Sequence, residues 1–423
     1  TLPFDWSKSA DEKMKYYSGH VTFTSSFEWG DSVPVSAEEK MEVPAEKTKT
    51  APSNDGFIKI QLKQIGVEGI VTALHDVPLG EVWTREKIHE LKEYIESYGM
   101  KWSVVESLPV VETLKYGGPD RDHQIEVYKE SLRNLGEEGI KCICYNFMPV
   151  FDWTRTDLAH VLPDGSDCLS FEEEKVRAVD PERGIELPGW GTNHTPAELQ
   201  ALLHSYRGIG EEELWDNCRY FLRAVLPVAE ECGVKLALHP DDPPRPIFGL
   251  PRIAKNAADY RRILFTPDLD SPSNTITFCC GSLGSGADND LPAMIREFGS
   301  RGKLPFVHFR NVQLEPSGDF YESGHQTGCG SSDMGEVMRA LCDMDQPFYL
   351  RPDHGRRIWD EAWSIREVTD ADGTQRVEHR PDGWNGVKPA AGYGLFDRAL
   401  GAAYAQGLYE GIRRERAAQL TKE

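Results

Sequence analysis

Four residues of metal-ligand type close four successive apolar, β-rich runs of this chain. The runs are LALHPDDPP at 236–244, ITFCC at 276–280, VHFRN at 307–311 and LRPDHG at 350–355. They put His239, Cys279 or Cys280, His308 and Asp353 at strand ends. Two imidazoles, a thiolate and a carboxylate are a donor set for a divalent transition metal, and mixed N, S and O ligation suits Zn, Fe(II) and Mn(II) alike. Adjacent strand residues point to opposite faces, so only one of the two cysteines can reach a common centre. Taken singly, each residue has a plain structural use, and a buried Cys commonly serves as a small hydrophobe. The joint occurrence on four successive strands is what carries the metal reading. Three further groups are placed for proton work: His354 beside Asp353, Tyr393 in AAGYGLFDRALG, and His325 in YESGHQTG. Arg155 and Arg310 have the bidentate geometry that suits a substrate carboxylate.

The elements that must position these residues repeat along the chain. Strand-like runs occur at 20–28, 69–74, 102–106, 141–147, 234–239, 275–280, 305–309 and 347–351. Helical periodicity fills most of the gaps, over 84–98, 122–138, 212–232, 288–299, 333–342 and 395–415. Thr84 is a cap followed by Ile88, Leu91 and Ile95 at spacings of three and four. Alternating strands and helices predict parallel βα units. Eight repeats favour a closed (β/α)8 barrel, of α/β class, over an open doubly wound sheet, and no Gly-rich phosphate loop follows the first strand. Residues 31–56, 148–210 and 355–392 break the repeat and are expected as long insertions after strands 1, 4 and 8 on the C-terminal face, where barrel sites lie. The expected organisation is one domain over 1–423, with 1–18 as an N-terminal tail.

Bulk composition narrows the partners. The chain has 423 residues and a formal charge of −22, which disfavours nucleic acid and anionic membrane surfaces. An anionic substrate then needs a local positive site, from a metal or a few arginines. Nine cysteines with no Cys-x-x-Cys read as reduced thiols of a cytoplasmic protein. No run of 18 apolar residues occurs. A barrel with such loops is expected to form a homo-oligomer.

Several stretches resemble the D-mannonate dehydratase family, a branch of the xylose-isomerase-like barrels. They are GIVTALHDVPLGEVW (69–83), WSVVESLPV (102–110), CYNFMPVFDWTRTDLAHVLPDGS (144–166), VAEECGVKLALHPDDPPRPIFGLPRI (228–253), GSLGSGADNDL (281–291), HFRNV (308–312), RPDHG (351–355) and GYGLFDRALG (392–401). The resemblance implies a Mn(II)- or Fe(II)-dependent removal of water from D-mannonate, giving 2-keto-3-deoxy-D-gluconate. It implies His239, Cys279, His308 and Asp353 as metal ligands and His354 and Tyr393 as the proton-transfer pair. Asn146, Arg155, Arg310 and His325 are then candidates for contact with a small sugar acid. Two positions depart from the family pattern: Glu28 stands where the family has an arginine, and Val111 where it has a histidine. A dehydratase of another aldonate, or a sugar isomerase or epimerase on the same scaffold, is the alternative reading.

Overall fold

The computed structural model describes residues 22–27, 62–179, 195–344, 346–359, 365–370, 373–379 and 391–420. Seven short strands run parallel: β2 (Gly69–Thr72), β3 (Lys101–Glu106), β4 (Cys142–Tyr145), β7 (Lys235–Leu238), β8 (Asn274–Cys279), β9 (Phe306–His308) and β12 (Phe348–Arg351). With β1 (Thr22–Phe27) they close a barrel in the order β1-β12-β9-β8-β7-β4-β3-β2. Strands such as CICY and KLAL are almost wholly buried because helices cover one face and the barrel interior the other. Val71, Val104, Cys142, Cys144, Ala237 and Phe306 fill that interior.

A helix follows each parallel strand. These are α1 (Arg85–Glu96), α3 (Arg121–Glu137), α6 (Glu211–Cys232), α7 (Ala257–Phe265), α9 (Leu291–Gly299), α10 (Met334–Cys342) and α11 (Leu395–Leu420); the five-residue α2 (Glu112–Tyr116) and α8 (Cys280–Gly284) lie in loops. Side-chain caps set the starts: Thr84, Asn256, Asp290 and Asp333 each accept from backbone N–H groups of the first turn. Gly233, in the left-handed region with φ +62, ends α6. α7 has no counterpart in the sequence expectation.

One strand departs from the expected repeat. β1 pairs antiparallel with both neighbours, Thr24 opposite Gly69 and Ser25 opposite Leu350. Apolar alternation reads the same in either direction, so the sequence pattern carries no information on strand sense. β1 therefore ends at the rim opposite the strand ends that carry His239, Cys279 and His308, and not at the C-terminal face as expected for the lead into 31–56. Residues 31–56, the tail 1–18 and Glu28 lie outside the described residues.

The other two insertions stand on the expected rim. The segment after β4 carries β5 (Asp157–Val161), β6 (Asp167–Phe171), α4 (Glu173–Ala178) and α5 (Pro196–Ser205). The loop after β9 carries β10 (Val312–Leu314) and β11 (Phe320–Glu322), and the four strands form one cap sheet ordered β10-β11-β6-β5. This cap has a small core of its own, including Phe151, Phe171, Ile247, Leu250, Val312 and Phe320. The loop after β12 holds a two-stranded hairpin, β13 (Ile365–Thr369) and β14 (Gln375–His379).

Candidate active site

At the C-terminal ends of β7, β8 and β9, the structure brings His239, Cys279 and His308 together. Their ligand atoms all lie within 4.8 Å of one another, the one such group among the described residues. Cys280, which opens α8, packs instead into the main hydrophobic core.

The outer nitrogen of His239 is tied back, which decides its inner one. His239 Nδ1 lies 2.7 Å from the Pro240 carbonyl oxygen and donates to it, so its Nε2 presents a lone pair. His308 Nε2 lies 3.1 Å from Glu106 Oε1, leaving Nδ1 to face His239 Nε2 at 3.3 Å. Burial opposes a thiolate at Cys279, but the Arg310 guanidinium and hydrogen bonds to His239 and His308 hold the thiol well below its usual range. Arg310 Nε approaches Cys279 Sγ at 3.3 Å, and Ser282 Oγ donates to it at 3.1 Å. Two imidazole nitrogens and a sulfur converge on one point, a donor set that fits a divalent cation. Burial and Arg351 oppose charge on His308, but Glu106 and Asp353 push its pKa up to about 10.

Asp353 lies just outside this group. Its Oδ2 is 3.4 Å from His308 Nδ1 and 2.9 Å from Arg310 Nε, while Oδ1 is held by Arg351. Burial would raise the carboxyl, but Arg351, His354 and His308 keep it well below the usual carboxylate range. Asp353 has φ +60, a backbone region that non-glycine residues seldom occupy. Its donor set fits a divalent metal as a fourth ligand through Oδ2.

His354 and Tyr393 touch. Nε2 of the imidazole is 2.7 Å from the phenol oxygen, and their rings meet edge to face at 4.7 Å between centroids. Burial, with Asp353 nearby, pushes the Tyr393 hydroxyl up, so it stays protonated and donates to Nε2. His354 Nδ1 lies 3.3 Å from Glu322 Oε1, and Trp153 packs edge-on against the same imidazole at 5.7 Å.

The structure places three further candidates in buried polar networks. Arg155 and Arg310, expected to pair with a substrate carboxylate, are 0% and 1% exposed and already engaged. Arg155 bridges both oxygens of Asp242, at 2.7 and 3.1 Å, and Glu322 Oε1 at 2.6 Å; Arg310 binds the same two carboxylates and Ser282. Two guanidiniums placed between two buried carboxylates neutralise them. Gly281 makes room for this: a Cβ there would lie 2.6 Å from Arg310 Cγ. His325 is also buried, its Nε2 donating to the Pro352 carbonyl at 2.9 Å and its Nδ1 facing Asp397 at 3.6 Å. It braces the Pro352–Gly355 turn against α11 and does not reach solvent. Asn146 is half-buried just beyond β4 on the same rim.

Glu106, Asp242, Arg351 and Glu322 were absent from the sequence candidates. The first three stand at or just after strand ends, in VVE, HPDD and LRPD, so the rule that found the ligands would also have reached them. Glu322 comes from the cap, where no barrel spacing points to it.

The chain is similar to proteins of one known family. The family model for D-mannonate dehydratase (UxuA) matches residues 52–369. Mannonate dehydratases of Thermotoga petrophila and Thermotoga maritima are each 46% identical over 363 residues, covering 83% of this chain and 93% of theirs. The crystal structure of mannonate dehydratase from Streptococcus suis serotype 2 superposes with a TM-score of 0.71 at 44% identity, covering 87% of this chain and 93% of that one.

Proposed function

The chain belongs to the D-mannonate dehydratase family, and from that premise we propose that it removes water from D-mannonate to give 2-keto-3-deoxy-D-gluconate. The observation that carries this is the His354–Tyr393 contact of 2.7 Å beside a cation-binding group on the same rim. His239, Cys279, His308 and Asp353 would hold the ion, Mn(II) or Fe(II) in this reading. The chemistry such an ion supplies is Lewis-acid polarisation of the substrate carboxylate and C2 hydroxyl, which makes the C2 proton more acidic.

The remaining steps fall to the chain's own groups. With its Nδ1–H turned to Glu322, His354 offers Nε2 as the base that takes the C2 proton. Tyr393, kept protonated, supplies the proton that leaves with the C3 hydroxyl as water. The resulting enol loses its hydroxyl proton and gains one at C3, so one proton is taken and one returned for each water released. Asn146 is a contact for a substrate hydroxyl. The cytoplasmic, homo-oligomeric setting is part of the same reading; no described helix is long and apolar enough to cross a membrane.

The test is turnover of D-mannonate and a panel of C2 and C3 epimers by the Mn(II)-loaded protein, with products weighed by mass spectrometry. Loss of one water from D-mannonate, abolished by EDTA and by His354→Asn, is the expected result. A product of unchanged mass would mean isomerisation, and water loss from another epimer alone would mean a different aldonate. Exchange of a C2 deuterium into solvent divides the roles: Tyr393→Phe should keep some exchange and His354→Asn none.

A further inference from the structure

The proposed base is oriented by a carboxylate that the barrel does not supply. Glu322 ends β11, in the hairpin that the chain inserts after β9, and pairs across the cap with Val312. Side chains alternate along this strand: Phe320 and Glu322 are buried, whereas Tyr321 is half-buried on the other face. Phe320 is thereby stacked on Phe171 and Glu322 turned to the same inner side. Its Oε1 receives Arg155 Nη2 at 2.6 Å, Arg310 Nη1 at 2.5 Å and His354 Nδ1 at 3.3 Å. The side chain is 0% exposed.

The geometry points to Glu322 as a positioning residue: its carboxylate fixes His354 as the Nδ1–H tautomer and holds Nε2 toward Tyr393 and the substrate. This rests on His354 being a proton-transfer group. The physical reason is that a neutral imidazole has one donor and one acceptor nitrogen, and a carboxylate at one of them settles which is which. Both arginines are needed to keep that carboxylate ionised away from water, so the buried Arg155–Asp242–Arg310–Glu322 lattice acts on catalysis through a single atom, Oε1. Its consequence is that the cap sheet, and not only the barrel rim, sets the base.

The test compares Glu322→Gln, His354→Asn and the double variant as Mn(II)-loaded full chains. Gln keeps the shape and an acceptor oxygen for the arginines, but its amide can also donate to Nδ1 and permit the other tautomer. For Glu322→Gln we expect kcat to fall about a hundredfold, with KM and bound metal within about twofold of the parent, and no additional loss in the double variant beyond His354→Asn. Unchanged kcat in Glu322→Gln while His354→Asn is inactive would overturn the positioning role. Full activity in His354→Asn would instead remove the reading on which it rests. Should Glu322→Gln fail to fold, the parent chain still decides. In 15N-histidine NMR of zinc-loaded protein, with signals assigned by their loss in His354→Asn, an Nδ1–H imidazole supports the role and an Nε2–H imidazole sinks it.

Discussion

Arg155 and Arg310 are both engaged by buried carboxylates. Each is buried between Asp242 and Glu322, where removing one member strands an uncompensated charge at a cost of about 3–5 kcal/mol. The lattice also makes stability depend on acid. Burial opposes ionisation of Glu322, yet Arg310 and Arg155 bring its pKa down to about 2 from an ordinary 4.5. A depressed carboxylate contributes fully above its unfolded pKa and loses that contribution as pH falls through the folded value. The window is therefore pH 4.5 down to 2, and a shift of that size corresponds to at most about 3 kcal/mol. Urea unfolding followed across this range should show the parent losing stability faster than Glu322→Gln, which has no charge to lose there. Parallel curves would place the acid sensitivity elsewhere.

At the scale of elements, the cap sheet is the part that the barrel repeat does not contain. β5, β6, β10 and β11 come from two loops far apart in the chain and share one small core. Phe320 lies at its centre, 2% exposed, with its ring 5.3 Å from that of Phe171 and the Arg155 guanidinium 4.9 Å above it. Truncating it to alanine should cost about 3–5 kcal/mol. Because the cap core is separate from the main one, the loss should appear locally. Amide hydrogen exchange is expected to quicken in β6 and β11 while β4, β7 and β8 stay protected, and kcat should fall as Glu322 loosens. Equal quickening in the barrel strands would show that cap and barrel open as one unit.

Over the whole molecule, metal and stability are linked. A ligand that binds only the folded chain stabilises it by about 2.7 kcal/mol at a hundred times its Kd. The melting temperature should rise with Mn(II), return with EDTA, and respond far less in Cys279→Ser, whose hydroxyl cannot replace a thiolate. His308, held protonated up to about pH 10 without metal, must give up a proton on loading. Apparent Mn(II) affinity should then rise about tenfold per pH unit between pH 6 and 8 while that one proton is displaced. A flat dependence would mean that His308 is not displaced by the ion.

Taken by itself, the linear pattern located the seven parallel strands, most of the helices between them and the candidate ligands at their ends. Strands buried on both faces are continuous apolar runs, and parallel strands deliver all their C-terminal ends to one rim, so His239, Cys279, His308 and Asp353 could be read together. Residue type and position also offered His354, Tyr393 and His325 for proton work; the family resemblance singled out His354 and Tyr393, and the structure brings those two side chains into contact. Tertiary structure alone decided the sense of β1, because period-two alternation has no direction. It also decided what each buried charge pairs with. Arg155 meets Asp242 across 87 positions and Glu322 across 167, and no local spacing encodes either contact. An exposed arginine that can clamp a substrate and a buried one that neutralises two carboxylates are the same residue in sequence. They differ only in which charges the folded chain brings within about 3 Å of the guanidinium, the distance at which a charge-assisted hydrogen bond forms.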